Sequence, residues 1–286
     1  MAHQTTLSAA AAGTIDVGGD LTVNRLGFGA MRITGRGVWR EPPDREQAKD
    51  LLRRVVALEI NFIDTADSYG PHVSERLIAE ALFPYPDDLV IATKGGLERP
   101  GPGEWVPNGR PDHLREACEG SLQRLRLDQI PVYQLHRPDP GVPLAESIGA
   151  LLELRSEGKI NHVGVSNVSE EQLWEVMQLT PVASVQNRYN LVDRTWDNLV
   201  DQCASFGLAF LPWAPIQDHH QVRAVAEIAD QRGVTPHQVA LAWLLARSPA
   251  VLPIPGTGSI EHLEENVAAA AIELTDEEVA ALNRAA

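Results

Sequence analysis

The segment Asn61-Phe62-Ile63-Asp64-Thr65-Ala66-Asp67-Ser68-Tyr69-Gly70 begins as a short apolar run and then turns polar. The run ends on the carboxylate of Asp64, and the phenol of Tyr69 follows five residues later. Polar groups inside a buried strand need hydrogen-bond partners, so residues of this kind are better suited to the point where a strand ends. The segment therefore predicts a strand whose carboxyl end carries functional side chains.

Two later apolar runs end in the same way. Lys94 follows the run 89–93, and His136 ends the run 131–136. The carboxyl ends of neighbouring parallel strands lie at one edge of a sheet or one rim of a barrel. We therefore expect this lysine and this histidine to converge with the aspartate and the tyrosine of the first segment.

The whole chain alternates short apolar runs with longer segments whose apolar residues recur at helical spacing. This alternation is typical of parallel strands joined by helical crossovers. Eight repeats over 286 residues favour a single α/β domain, a closed (β/α)8 TIM barrel, over an open sheet. The eight predicted strands are 25–31, 61–66, 89–93, 131–136, 160–166, 183–187, 208–213 and 251–255.

Further elements are predicted at both ends of the barrel. Residues 14–23 predict a β-hairpin that turns at Gly18-Gly19 and closes the N-terminal end of the barrel. An open Rossmann sheet is the alternative, but Gly27-Phe28-Gly29-Ala30-Met31-Arg32 lacks the third glycine of its fingerprint. Extra helices are predicted over 222–231 and 236–247, before the last strand, and over 260–270 and 276–284, after it.

Composition narrows the class of protein. A net charge of −15 argues against a nucleic-acid partner, and no apolar run approaches the length needed to span a membrane. The alanine-rich stretch 7–13 lacks the features of a secretory signal, and residues 1–13 are predicted to be a flexible tail before a single domain, 14–286. Cys118 and Cys203 lack metal-ligand spacing and are expected to be buried, reduced thiols of a monomeric, cytoplasmic protein. We predict no metal site.

The four converging residues suit the protonation of a carbonyl oxygen. A tyrosine with a pKa near ~10 is a weak acid, and a nearby lysine lowers that pKa by favouring the phenolate. An aspartate paired with Lys94 keeps the ammonium charged, and a histidine bonded to the same carbonyl oxygen orients the substrate. An electron source is missing from this set, so a hydride-donating cofactor is implied.

These residues and several others resemble the aldo-keto reductase family over nearly the whole chain. The family consists of (β/α)8 barrels that reduce aldehydes and ketones with a nicotinamide cofactor, usually NADPH. The resemblance implies that Tyr69 is the general acid, that Lys94 lowers its pKa, that Asp64 holds Lys94 and that His136 orients the carbonyl. The matching stretches are Asp64-Thr65-Ala66-Asp67-Ser68-Tyr69-Gly70, Thr93-Lys94, Leu135-His136-Arg137-Pro138-Asp139, Gly164-Val165-Ser166-Asn167 and Ile254-Pro255-Gly256-Thr257 with Glu265-Asn266.

The resemblance also implies a cofactor site. Ser166, Asn167 and Gln186 would hydrogen-bond the nicotinamide carboxamide, and Trp213 would stack on the ring. The adenosine phosphates would contact Gly256, Thr257 and the helix starting near Ile260. The adenine would contact Glu265 and Asn266.

Two departures from the family pattern concern the cofactor. Gly256 and His262 stand where many relatives have a lysine and an arginine that bind the 2′-phosphate, so NADPH is expected but NADH is possible. The loop 215–221 after the seventh strand is short, which predicts an open cofactor cleft. Its adjacent His219 and His220 have poor geometry for a metal and are expected to be exposed.

The residues that contact the substrate are the hardest to predict from the sequence, because substrate specificity depends on loops. Trp105, Arg137 and Met31 are candidates for the wall of the carbonyl site. The pattern 254–266 and the short seventh loop also resemble the pyridoxal reductases of the family.

Two other functions stay open. A barrel of this kind can retain its nicotinamide site yet act as a redox-sensing subunit with little turnover. A Schiff-base aldolase using Lys94 as the nucleophile is the second, although a lysine paired with Asp64 would stay protonated.

Overall fold

Seven parallel strands form a continuous curved sheet in the computed structural model, which describes residues 7–285. Each strand of this sheet pairs with the next one along the chain, as successive βα units require. The strands of this sheet are β3 (Phe28–Gly29), β4 (Phe62–Asp64), β5 (Val90–Gly95), β8 (Ile130–Leu135), β9 (Ile160–Ser166), β10 (Ser184–Gln186) and β11 (Ala209–Phe210). Two antiparallel pairs complete the strands: β1 (Thr14–Val17) with β2 (Leu21–Asn24), and β6 (Leu97–Glu98) with β7 (Val106–Pro107).

Ten α-helices lie among the described residues, most of them between successive strands of the sheet. Their apolar stripes pack on the outside of the sheet, which creates the layer of core between helices and strands. The helices are α1 (Arg45–Ala57), α2 (Val73–Leu82), α3 (Pro111–Leu125), α4 (Leu144–Ser156), α5 (Glu170–Leu179), α6 (Asp197–Phe206), α7 (Arg223–Arg232), α8 (Pro236–Arg247), α9 (Ile260–Ala268) and α10 (Asp276–Ala285). The four extra helices predicted near the C-terminal end of the chain are confirmed as α7–α10.

The eighth predicted strand closes the sheet without forming a regular strand. Val251 makes a parallel bridge with Phe210, and Gly27 N donates to Pro253 O at 2.9 Å on the other side. Pro253 and Pro255 have no N–H group, so this segment cannot continue a hydrogen-bond ladder. Backbone bonds on both of its sides nevertheless join the first strand to the seventh, and the (β/α)8 barrel is confirmed.

Two glycines allow this closure. A Cβ atom on Gly256 would lie 2.5 Å from Gly29 O, and a Cβ atom on Gly29 would lie 2.7 Å from Ile254 O. Both distances are shorter than real carbon–oxygen contacts, so the first and last segments can approach this closely only with glycine at these positions.

The predicted hairpin is confirmed as β1 and β2. Val17 and Val23 are fully buried against apolar residues that point into the barrel, including Phe62 and Val132. The hairpin therefore covers the N-terminal end of the barrel interior.

The prediction of a flexible tail over residues 1–13 is wrong for its last part. Ala9–Ala12 forms a 3₁₀ turn that is capped by the Ser8 side chain. Ala9 is fully buried, and its N–H donates to Leu58 O at 2.9 Å. Small alanine side chains allow the turn to pack against the end of α1. Residues 1–6 of the predicted tail lie outside the described residues.

Helix ends follow the sequence signals in several places. Ser169 caps α5 through a capping box with Gln172, and Gly207 and Gly233 end α6 and α7 with positive φ angles of 69° and 66°. Both cysteines are buried and free, as predicted. No helix within residues 7–285 is long and apolar enough to cross a membrane.

Candidate active site

The four residues predicted to converge do meet at the carboxyl ends of β4, β5 and β8. Asp64, Tyr69 and His136 line a cavity of about 900 Å³, and Lys94 lies fully buried against them. The strands are adjacent and parallel, so their ends deliver these side chains to one rim. A cavity of this size is in the range of small-molecule and cofactor sites.

Lys94 is held by two oxygen atoms. Its Nζ donates to Asp64 Oδ2 at 2.7 Å and to Thr65 O at 2.8 Å, and it lies 5.3 Å from the centroid of the Tyr69 ring. Burial lowers the pKa of Lys94, but the Asp64 carboxylate and Tyr69 raise it by more, so the pKa lies above its usual value. The ammonium therefore stays charged beneath the tyrosine.

Tyr69 is 7 % exposed, with its ring facing the cavity. Burial raises the pKa of Tyr69, and the nearby Lys94 ammonium lowers it by less, so the net shift is upward. The predicted effect of Lys94, a lowering of the Tyr69 pKa, is present in this structure, but burial of the phenol outweighs it. Tyr69 is consequently a phenol that carries its proton at neutral pH.

His136 is neutral in this site. Burial, and then the charges of Lys94, Arg137 and Arg99, hold the pKa of His136 well below its usual value. Its Nδ1 lies 3.3 Å from the Ser68 hydroxyl. When the hydroxyl donates this bond, Nε2 carries the ring proton and can donate it to an oxygen atom in the cavity.

The residues expected at the nicotinamide are joined in one hydrogen-bonded chain. Ser166 Oγ donates to Gln186 O at 2.8 Å, and Asn167 Nδ2 donates to Ser166 Oγ at 2.9 Å. Trp213 Nε1 donates to Asn167 Oδ1 at 3.2 Å, while Gln186 Nε2 donates to Asp64 Oδ1 at 2.7 Å. All four side chains line the cavity beside the tetrad, the name used from here on for Asp64, Tyr69, Lys94 and His136.

The residues expected at the adenosine end line the other part of the same cavity. They surround the start of α9, where Ser259 Oγ accepts the N–H of His262 at 3.4 Å. The closure of the barrel already explains why position 256 is glycine. These residues are Gly256, Thr257, His262, Glu265 and Asn266.

The candidate substrate residues lie at the tetrad end. Trp105 approaches Tyr69 edge-on, with ring centroids 6.4 Å apart, and His136 at 6.5 Å. Met31 and Arg137 are exposed at the cavity rim. The three side chains thus form an aromatic, apolar and cationic wall around the phenol.

Several residues that line the cavity were not predicted from the sequence. Arg32, on the 3₁₀ turn after β3, and His237, in the first turn of α8, both line the cavity. The prediction that His219 is exposed is wrong, because this residue is 4 % exposed and its ring centroid lies 4.5 Å from that of His237. Arg32 directly follows Met31, so its position in sequence was the available signal; for His237 there was none.

An elongated dinucleotide fits this arrangement. The cavity runs from the buried phenol of Tyr69, past amides and an indole, to the N-terminus of α9, where backbone N–H groups favour phosphate. No group of three or more metal-binding side chains occurs within residues 7–285.

Comparison with known proteins agrees with this geometry. The model of the aldo/keto reductase family matches residues 25–286. An uncharacterised oxidoreductase from Schizosaccharomyces pombe is 48% identical over 99% of this chain and 92% of its own length. Pyridoxine 4-dehydrogenase from Escherichia coli is 41% identical, with coverage of 93% and 96%. The structure of an aldo-keto reductase from Klebsiella pneumoniae in complex with NADPH superposes with a TM-score of 0.80 at 30% identity, covering 95% of this chain and 94% of the other.

Proposed function

Because this chain belongs to the aldo/keto reductase family of oxidoreductases, we propose that it reduces aldehydes and ketones to alcohols with NADPH, with Tyr69 as the proton donor. One observation carries the proposal: a buried, ion-paired lysine lies directly behind a protonated phenol that faces the cavity. A neutral imidazole stands beside the same phenol, 5.9 Å from its ring centroid.

Each of the four residues has a separate task. The Nε2–H of His136 binds the carbonyl oxygen and holds it against the Tyr69 hydroxyl. When bound beside these residues, a nicotinamide would supply the hydride that the carbonyl carbon accepts. Tyr69 donates its proton to the oxygen as negative charge develops there, and the Lys94 ammonium stabilises the phenolate that remains. Asp64 keeps Lys94 charged and fixed in place.

The cofactor assignment rests on the shape and the polar groups of the cavity. Ser166, Asn167 and Gln186 present amide and hydroxyl groups at the tetrad end, where a carboxamide would lie beside Trp213. Arg32 and His262 line the cavity together with the residues of the α9 end, so their side chains would face the phosphates. The NADPH-bound relative supports NADPH, and NADH is the second choice.

An aromatic aldehyde is the proposed substrate class. Trp105 and Tyr69 offer ring edges, and Met31 offers an adaptable apolar surface. The relative named pyridoxine 4-dehydrogenase supports pyridoxal as the first compound to test. A monomeric protein acting in the cytoplasm is part of this proposal.

The test is the oxidation of NADPH by wild-type protein, Tyr69→Phe and Tyr85→Phe with pyridoxal, benzaldehyde and propanal. Tyr85 is the matched control, because its hydroxyl donates to Leu125 O at 2.7 Å, away from the cavity. We expect Tyr69→Phe to lose about 10²–10⁴-fold in kcat while NADPH still binds, since a general acid contributes that much. Tyr85→Phe should retain its activity.

The other functions make different forecasts for the same experiment. If the wild type binds NADPH tightly yet reduces none of the aldehydes, the protein is a nicotinamide-binding subunit and the proposal fails. A Schiff-base aldolase would form a borohydride-trapped adduct on Lys94 without NADPH. The raised pKa of Lys94 opposes this, because a protonated amine is not a nucleophile.

A further inference from the structure

Arg99 is a cation enclosed by the protein without a carboxylate partner among the described residues. Arg99 is only 8 % exposed, and its guanidinium donates four hydrogen bonds to backbone carbonyl groups. Nε donates to Glu104 O at 2.8 Å, Nη1 to Val38 O at 3.0 Å and to Ser68 O at 3.1 Å, and Nη2 to Gly37 O at 3.2 Å. The planar guanidinium with its five donors is suited to such bridging, and a lysine ammonium is not.

These carbonyl groups belong to three different loops at the carboxyl end of the barrel. Gly37 and Val38 follow the first strand, Ser68 follows β4, and Glu104 follows β5. One side chain therefore connects the three loops that surround the tetrad end of the cavity, and none of these four hydrogen bonds goes to the α9 end.

The first of these loops is held in a strained conformation. Val38 has a φ angle of 56°, in the left-handed region that a β-branched residue rarely adopts. Such a conformation persists only when surrounding contacts enforce it. The bond from Arg99 to Val38 O is one of those contacts, and the N–H of Arg40 adds another by donating to Gly70 O.

Arg99 also fixes the aromatic wall and the imidazole. Its guanidinium carbon lies 3.6 Å from the centroid of the Trp105 ring, at stacking distance. Through the Ser68 carbonyl it anchors the residue whose hydroxyl contacts His136 Nδ1. The wall and the hydrogen-bond donor of the carbonyl site thus depend on one guanidinium.

We propose that Arg99 is a positioning residue that assembles the carbonyl-binding half of the site and thereby selects aromatic over small aliphatic carbonyl substrates. The inference rests on the proposed function for its kinetic part. Its structural part, the connection of three loops, is independent of any activity.

The test compares Arg99→Met and Arg99→Lys with Arg53→Met, which removes a half-exposed arginine from α1. We expect KM for benzaldehyde and pyridoxal to rise about tenfold in both Arg99 variants, KM for propanal to change by less than about threefold, and the Kd of NADPH to stay within about twofold. Arg53→Met should match the wild type. Restoration of wild-type KM by Arg99→Lys would overturn the proposal, since positive charge alone would then suffice.

Hydrogen exchange measured by mass spectrometry supplies the readout that needs no turnover. In both Arg99 variants the hydrogen-bonded amides of Arg40, Tyr69 and Glu104 should exchange about tenfold faster together, while the amides of α9 keep their wild-type rates. Unchanged exchange in the three loops would overturn the proposal, and so would faster exchange over the whole chain. If the wild type reduces no aldehyde, the proposed function fails, whereas this exchange pattern still tests the connection.

Discussion

Substitution of Asp67 by asparagine should stabilise the protein, and the gain should grow with pH. Asp67 is 4 % exposed, and its Oδ1 has no hydrogen-bond partner among the described residues. Nearby, the fully buried Glu75 binds Arg124 Nε at 2.6 Å and the Thr93 hydroxyl at 2.6 Å. The local arginine is thus engaged by Glu75, and Asp67 lacks a cation of its own.

Burial, followed by the charge of Glu75, raises the pKa of Asp67 from 3.8 to about 8. The folded protein therefore binds a proton that the unfolded chain has already released above pH 3.8. The stability that comes from this proton is fully present below pH 3.8 and is lost as pH rises to about 8. Each pH unit in this window lowers the free energy of unfolding by about 1.4 kcal/mol, which makes about 4 kcal/mol at pH 7 as an upper bound.

The assay is urea unfolding of wild type and Asp67→Asn at about pH 5, 6, 7 and 8, with Asp87→Asn as a control for loss of an exposed carboxylate. The difference in unfolding free energy between Asp67→Asn and wild type should increase steadily over this range, since asparagine has no proton to release. Asp87→Asn should show no such trend. A constant difference at all four pH values would refute the reasoning, because Asp67 would then ionise as readily in the folded protein as in the unfolded chain.

Three other substitutions have definite outcomes. Lys94→Met leaves the Asp64 carboxylate buried without its cation, so it should cost about 3–5 kcal/mol in urea unfolding and abolish reduction. His262→Arg places a fixed, bidentate cation at the α9 end of the cavity, so the ratio of NADPH to NADH affinity in fluorescence titrations should rise about tenfold; an equal gain for both cofactors would place this residue away from the 2′-phosphate. Gly256→Ala forces a Cβ atom to 2.5 Å from Gly29 O and should destabilise the barrel by about 1–3 kcal/mol in thermal unfolding, whereas Gly149→Ala, with open space around it in α4, should be neutral or stabilising.

The sequence predicted the barrel and the meeting of the tetrad because both depend on local patterns. A polar residue at the end of an apolar run is visible in the chain itself, and parallel topology then brings Asp64, Lys94 and His136 to one rim. The cofactor-side residues came from the family resemblance, and the structure places them in one cavity with the tetrad.

The features that the sequence did not predict depend on contacts between distant residues. Arginine is usually a surface residue, and only the fold shows that Arg99 binds carbonyl groups up to 62 positions away along the chain. The raised pKa of Asp67 results from its burial beside Glu75, and no sequence motif indicates that burial. Pro253 and Pro255 can be read directly from the sequence. Their effect on the last strand, however, depends on which neighbouring strand would have accepted hydrogen bonds from the missing N–H groups.

The chain of hydrogen bonds from Trp213 through Asn167 and Ser166 to Gln186 has a thermodynamic consequence for any ligand that enters there. These polar groups already satisfy one another. A carboxamide arriving at this place exchanges existing bonds for new ones of similar strength, so the net gain in enthalpy from them is small. Such contacts select the orientation of the ring, whereas the affinity must come from the apolar area covered on the indole and from the charges near the phosphates. Occupancy can then turn over quickly, because departure of the ligand leaves no buried polar group without a partner.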